Sequence, residues 1–445
     1  MRKTILFFNI FLLTIPCLFS QTMNLEQVRA LALANSRSLA KYNLNIKSSI
    51  LDEKNQLYTM LPTVSASYSA SMDYLDKDWH FVNPVDTFES GARLSITQTL
   101  FNGGKSFIQK AINEIATESQ RKAAFAEYFN VLDTADSAYY AVLEAMATLE
   151  AAESALTNTL SNMAIAEIRQ SSGMINRGDY LKALADRETQ ENSRNQARRN
   201  LALNVTKLKN LIGVTNIPEP EQIDFSVYEE LIQYFGAISD EDASLLYDRF
   251  WKIITSSNPS LAIAALNSQR AEKNLTITKR DSAPVVTATL ISGSIGYSSE
   301  KGFGTSSAGR VEISGKIPLD FWNLSNKIEK SKINVNSAAL DYIDRETQLE
   351  TDLLNALINT FSQAESVLSS RRSLEYVQKH FEYVEERYRL LQSSVADLGD
   401  ASSMLIASRN NNIKANFGFL QSLSKLRSLG AIDDETKLVK ALMGN

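Results

Sequence analysis

The chain has almost none of the residues that carry redox or metal chemistry. Its 445 residues include one cysteine, Cys17, and two histidines, His80 and His380. Zinc, haem, Cys-His and Ser-His chemistry therefore lack their ordinary ligands and bases. No block of Lys or Arg stands behind the formal charge of -5, which removes the footprint of a nucleic-acid binder. Only 17 glycines and 8 prolines interrupt a chain that is 44% hydrophobic, so long helices are favoured. The apolar run from Ile5 to Ile15 follows Arg2 and Lys3 and is too short for a comfortable membrane helix. With Pro16 and Ser20 behind it, the run reads as a secretory signal, residues 1–20, cleaved near Ser20. Lipidation at Cys17 is the alternative, which Pro16 just ahead of it fits poorly. Cleavage after Ser20 leaves no cysteine, and that suits an oxidising periplasm without disulfides.

What is present is a duplication. "NSRSLAKYNLNIKSSILDEKNQLYTMLPTVSAS" from Asn35 matches "NPSLAIAALNSQRAEKNLTITKRDSAPVVTATL" from Asn258 in plan, each a helical stretch followed by Pro62 or Pro284 and then small and β-branched residues. "LSITQTLFNGGKSF" (94–107) is answered by "ISGKIPLDFWNLSNK" (313–327), and "DYLKA" (179–183) by "DLGDA" (397–401). The offset drifts only from about 222 to about 218 residues, a unit far longer than a solenoid repeat. The expected organisation is a first repeat over 21–215, a connecting segment over 216–244, a second repeat over 245–430 and a C-terminal segment over 431–445. The acidic connector, which breaks the helical period, fits a strap.

Each repeat reads as helix, strand, strand, long helix, helix. The first helix is expected from about Leu25 to Leu61, ending before Pro62 because the residue ahead of proline disfavours helix. From Val64 the period becomes two: Val64, Ala66, Tyr68, Ala70, Met72 and Tyr74 alternate with serines and Asp73. Leu94, Ile96 and Leu100 alternate with Arg93, Ser95, Thr97 and Thr99, and Val311, Ile313, Ile317 and Leu319 with Arg310, Glu312, Ser314 and Lys316. A fourth strand begins at Val285 with faces that the pattern leaves unassigned. The long helices, from about Lys105 to Ser172 and from about Ser325 onward, would each reach roughly 100 Å and need coiled-coil partners. The two short helices of a repeat together nearly match the long one, so that pairs laid side by side make the wall of a cylinder.

Strands of this length, apolar on one face and polar on the other, fit two structures. One is a soluble protein with two amphipathic hairpins packed on helices. The other is a membrane barrel with lipid outside and water inside. Four strands cannot close a barrel alone, and open edges are forbidden in lipid, so the second reading requires several chains to pool their strands.

"QTLFNGGK" (98–105), "SGMINRGDYLKA" (172–183) and "VADLGDASSML" (395–405), set in this duplicated plan, resemble the TolC family of bacterial outer-membrane efflux proteins over nearly all of the mature chain. The resemblance implies an α + β membrane protein. Long coiled-coil helices form a barrel through the periplasm, and four transmembrane β-strands per chain join a shared trimeric, twelve-stranded β-barrel. It also implies a homotrimer held in outer-membrane lipid, docked to a periplasmic adaptor and an inner-membrane transporter. The function implied is the passive exit channel of a tripartite efflux or type I secretion system, with no catalysis, no cofactor and no metal. A soluble periplasmic coiled-coil adaptor or scaffold is the competing reading.

By the same resemblance Asp397 and Asp400 form aspartate rings at the channel gate, where six crowded carboxylates should raise some pKa values and attract cations. Gly173, Gly178, Asp179 and Gly399 would shape the helix tips that meet the adaptor, and Pro62, Gly103, Gly104, Pro284 and Pro318 the strand–helix junctions. Two departures stand out. The counterpart of Gly173, near Leu391 or Gln392, is not glycine, and Trp322 and Asn323 stand where the first junction has Gly103 and Gly104.

Taken by itself, the aspartate pair has a simpler reading: Gly399 ends one helix and Asp400 caps the next. No nucleophile or base accompanies the pair, and two carboxylates are too few for a convincing metal site. "NGGKS" (102–106) is no phosphate loop, since Thr99 occupies the place of its first glycine. His80 and His380 read as surface or packing residues, and Trp79 as an interfacial anchor.

Overall fold

A computed structural model describes residues 22–74, 80, 81, 83, 87–299, 301–306 and 309–443. The signal, Cys17 and Trp79 lie outside the described residues. The chain divides into two compact units. One comprises the chain up to Ser36, Phe129–Asp248 and Leu354 onward; the other comprises Arg37–Tyr128 and Arg249–Leu353.

The elements follow the expected duplication. The first copy has α1 (Leu25–Asn35), α2 (Arg37–Tyr58), β2 (Thr63–Ser71), β3 (Glu89–Phe101), α3 (Lys105–Ser171) and α4 (Arg177–Ile212), preceded by β1 (Thr22–Met23). After β4 (Glu219–Pro220), a 3-10 turn and α5 (Glu229–Gly236), the second copy has α6 (Asp240–Ser257), α7 (Pro259–Lys279) and β5 (Val285–Ile291). It continues with β6 (Ser294–Ser298), β7 (Gly302–Ser306), β8 (Arg310–Lys316), α8 (Phe321–Arg389) and α9 (Val395–Gly430), and α10 (Glu435–Met443) closes the chain. The 67 and 69 residues of α3 and α8 contain neither glycine nor proline, which is why both run unbroken.

The structure differs from the sequence reading in four places. The expected helix from Leu25 to Leu61 is two helices, because Ser36 is extended (φ -66, ψ 109). Its counterpart Asn258 caps α7, where Pro259 announces the new helix start, and so the break is overt in only one copy. The second repeat holds four strand segments: Ser292 and Gly293 interrupt one span into β5 and β6, and β7 and β8 flank them. Residue 245, the expected start of the second repeat, falls inside α6. Trp322 and Asn323 sit in the first turn of α8, and the junction proper is 317–320.

The second unit contains the sheet. β3 pairs on one side with β2, from Thr63↔Thr97 to Ser71↔Glu89, and on the other with β5 and β6, beyond which lie β8 and β7. All pairings are antiparallel, the sheet is four spans wide, and its edges are β2 on one side and β8 with β7 on the other. Register brings Val64, Ile96, Leu290 and Val311 into one row. Hydroxyls link across the opposite face: Ser65 to Ser95 at 2.8 Å, Thr97 to Thr289 at 3.4 Å and Thr287 to Ser314 at 2.8 Å. This assigns the faces of β5, with Leu290 on the apolar side and Thr287 and Thr289 on the polar side. The apolar row is open to solvent: Val64 is 62% exposed and Val311 71%.

The first unit has a helical core in which Val28 and Ala32 of α1, Val131, Ala135, Tyr139, Val142 and Leu143 of α3, Leu208 and Ile212 of α4, and Phe417 and Leu420 of α9 are buried together. The connector is tied to it. β1 and β4 pair in parallel, and the Tyr139 hydroxyl faces the carbonyls of Met23 at 3.1 Å and Glu221 at 2.8 Å. Burial pushes the Tyr139 phenol up to about 12.

Candidate functional site

The two helix turns that the sequence singled out have the same construction, 218 residues apart (391 against 173). At the end of α3, Gly173 takes a left-handed conformation (φ 69), and Met174 N donates to Arg169 O at 2.8 Å. At the end of α8, Leu391 does the same (φ 64), and Gln392 N donates to Arg387 O at 2.8 Å. Both are Schellman turns, which absorb helix-end carbonyls. Each following helix then has a polar cap. Asn176 accepts from Asp179 N at 2.8 Å, and Ser394 Oγ accepts from Asp397 N at 3.1 Å.

This changes the roles of the predicted residues. Asp397 is the third residue of α9 and closes a capping box, accepting from Ser394 N at 3.0 Å and from Ser394 Oγ at 2.8 Å. The Ser394 amide and hydroxyl hold its carboxyl below the ordinary range. Asp400 caps nothing, and Gly399 ends no helix, because both lie within α9. The reading of that stretch as helix end and new cap fails because Ser394 begins the helix first. The Asp400 side chain is 81% exposed, with Lys182 Nζ at 3.9 Å. Asp179 is the equivalent of Asp397 and receives Asn176 Nδ2 at 2.9 Å, while Gly178 lies one residue before it in the first turn of α4.

The turns pack into one cluster. Ala166 of α3, Ala183 of α4, Phe381, Val384 and Tyr388 of α8, and Val395, Leu398, Ala401 and Leu405 of α9 are buried together. Arg169, buried in the last turn of α3, lies 4.1 Å over the Tyr388 ring and donates through Nη2 to Tyr388 O at 2.6 Å. One guanidinium thus adds a second donor to the Tyr388 carbonyl, which also accepts from Leu391 N at 3.1 Å in the turn. Sequence reasoning missed Arg169, whose only local signal is a basic residue in a final helical turn.

Asp186 was also missed. Burial raises its pKa, Lys182 opposes this and Asp400 adds to it. A Cβ on Gly399 would come within 3.1 Å of its Oδ2, so glycine there lets α4 and α9 approach. Beside it a cavity of about 50 Å³ is lined by Asn162, Met163, Asp186, Leu398 and Ser402, among others. Among the described residues no group of His, Cys, Asp or Glu is placed to hold a metal.

The junction residues lie in the second unit. Gly103 and Gly104 have φ of 69 and 73, and a Cβ on Gly103 would meet that of Ala283 at 2.5 Å. Arg280 Nη1 donates to Gly103 O at 3.0 Å, and Lys105 pairs with Asp281 at 3.1 Å. Pro62 immediately precedes β2, Pro284 precedes β5, and Pro318 lies between β8 and α8.

The profile of the Outer membrane efflux protein family matches residues 28–214 and 252–430. Among solved structures the chain is similar to CusC, a protein whose conformational changes accompany folding and transmembrane channel formation (TM-score 0.77, 17% identity, 91% of each chain). It is also similar to the CmeC outer membrane channel of Campylobacter jejuni (TM-score 0.74, 15% identity, 94% of this chain and 88% of that one). A third is the open state of the MtrE outer membrane channel of Neisseria gonorrhoeae (TM-score 0.70, 16% identity, 92% and 88%). At such identities the likeness is one of fold. No curated protein matches significantly.

Proposed function

Since the chain belongs to the outer membrane efflux protein family, we propose that three copies form the passive exit duct of a tripartite exporter, gated at the paired helix turns. Its place is the outer membrane, with a large periplasmic helical portion, and the soluble-scaffold reading gives way to the family match. One observation carries the assembly: a four-span sheet with an exposed apolar row ends in two unpaired edges, β2 on one side and β8 with β7 on the other. In lipid those edges must pair, and β8 of one copy against β2 of the next satisfies both. Three such sheets make twelve strands, inside the range of membrane barrels.

In the helical unit, Asp400 is the gate charge and Asp397 primarily holds the helix that carries it. Solvent-exposed Met174, Leu390 and Leu391 offer an apolar contact to the hairpin of a periplasmic adaptor, which links the duct to an inner-membrane transporter. Detergent extracts of outer membranes should give a heat-labile oligomer that conducts in planar bilayers. Replacing Asp400 by Ala should raise conductance and weaken block by multivalent cations. A detergent-free soluble monomer without conductance defeats the channel reading, and unchanged conductance and block defeat the gate assignment alone.

A further inference from the structure

In the first unit the connector is held to the helices at two points. β4 pairs with β1, and the Phe225 ring meets that of Phe417 on α9 edge-on, centroids 5.5 Å apart. Asp224 accepts from Ser226 N at 2.9 Å and so starts the 3-10 turn that carries Phe225. Along the same stretch Glu219, Gln222, Ile223 and Phe225 border a cavity of about 400 Å³, whose other walls are α3, Leu201 of α4, and α9. Sites that take a small organic molecule measure roughly 300–1,000 Å³. The cavity continues the helical core: Leu143 and Phe417 are buried in that core, and Met146, Ile223, Phe225 and Ile413 pack against it half-covered. Apolar surface left open beside a close-packed core forgoes contacts that a guest would restore.

The polar part of the wall has one sign. On α3 the helical period sets Leu143, Met146, Ala147, Glu150 and Glu153 along one face, so that this wall is apolar at one end and acidic at the other. Neither glutamate has a lysine or arginine three or four places away on the helix, and Glu219 of the connector adds a third carboxylate. Among the described residues no lysine or arginine lines the cavity; Arg409, farther along α9, donates to Ser154 Oγ at 3.2 Å. Asn416 lines it too, with Nδ2 donating to Asn412 Oδ1 at 3.2 Å and Oδ1 buried without a partner. What these four side chains offer a guest is acceptors and negative charge.

We propose that this cavity binds one amphipathic amine, its apolar body on Phe225, Phe417 and Met146 and its ammonium toward the Glu150–Glu153 end. The three carboxylates are exposed, so burial of the body supplies most of the affinity and the acids select the charge. Anionic amphiphiles are repelled, and a bare metal ion gains nothing from the apolar wall. A bound amine braces the connector against α3, α4 and α9. Binding requires no conduction, so the proposal fails or holds apart from the channel reading. A neighbouring copy seated over the cavity is the rival occupant.

The probe is 5-bromotryptamine, an aromatic amine with an anomalous scatterer, and N-acetyl-5-bromotryptamine is its uncharged control. Titrated calorimetrically into the detergent-solubilised full chain, against a detergent blank, the amine should saturate one site per chain and bind about five- to tenfold tighter than the control. Glu150→Gln together with Glu153→Gln should remove most of that ratio, and Ala147→Phe, which fills the cavity, should abolish saturable binding. Equal affinity for the two compounds, or no saturable binding by the unaltered chain, overturns the proposal. Soaked crystals should give a bromine peak within about 4 Å of the Phe225 or Phe417 side chain; a peak only elsewhere, or a neighbouring copy filling the cavity, also overturns it. Should a variant not fold, the compound pair and the crystals, both using the unaltered chain, decide.

Discussion

The two helix turns are copies of one device, and they differ in two side chains that matter. The first has Gly173 in the left-handed position and Lys182 on the next helix; the second has Leu391 and Asp400 at the same places. The backbone is common to both, so the turn is fixed by hydrogen bonding and capping rather than by glycine. The second copy bears the cost of a Cβ in a left-handed conformation and places an exposed leucine there. The duplicated pair Lys182 and Asp400 faces itself across α4 and α9, so a single ancestral position has become two opposite charges.

Six substitutions and one double-mutant cycle sharpen or break this comparison. The largest effect is expected from Arg169→Ala, which removes the buried group joining the copies; the loss should be about 2–4 kcal/mol, read by denaturant unfolding, with faster amide exchange in both turns. Next come the caps. Ser394→Ala and Asn176→Ala should each cost about 1 kcal/mol, the former more because it also breaks the reciprocal bond to Asp397.

The Asp397 carboxyl carries a pH signature: its folded pKa is depressed, so its stabilisation is present above the ordinary value of 3.8 and is lost as pH falls through the depressed one. Thermal melts of Asp397→Asn should lose that acid-side slope. Smaller still, Leu391→Gly should stabilise by about 0.5–1 kcal/mol and Gly173→Leu destabilise by about as much. The same sign for both would mean that the turns are not equivalent. The Lys182–Asp400 pair, 3.9 Å apart at the surface, should show a coupling of only about 0.2–0.5 kcal/mol in a double-mutant cycle.

Much of this was legible in the sequence. The equivalence of 179–183 with 397–401 was readable from the repeat, and the structure places both segments in the first turns of matching helices. The proline-free stretches gave long helices, and period-two alternation gave the strands. The capping roles were misread because Gly399 and Asp400 look like a stop and a start when the stronger start at Ser394, three residues before Asp397, is overlooked. Arg169 and Asp186 were illegible for another reason: what makes them notable is burial against residues some two hundred positions away.

By itself the sequence determined the duplication, the long unbroken helices and the alternating faces of three strands, since all of these are local patterns of composition and period. Tertiary structure alone decided which face of β5 is apolar, which aspartate caps and which stands free, and that the connector borders a cavity with α3, α4 and α9. Those outcomes depend on register, on the first competent helix cap and on how segments distant in the chain meet, and no local pattern encodes any of the three.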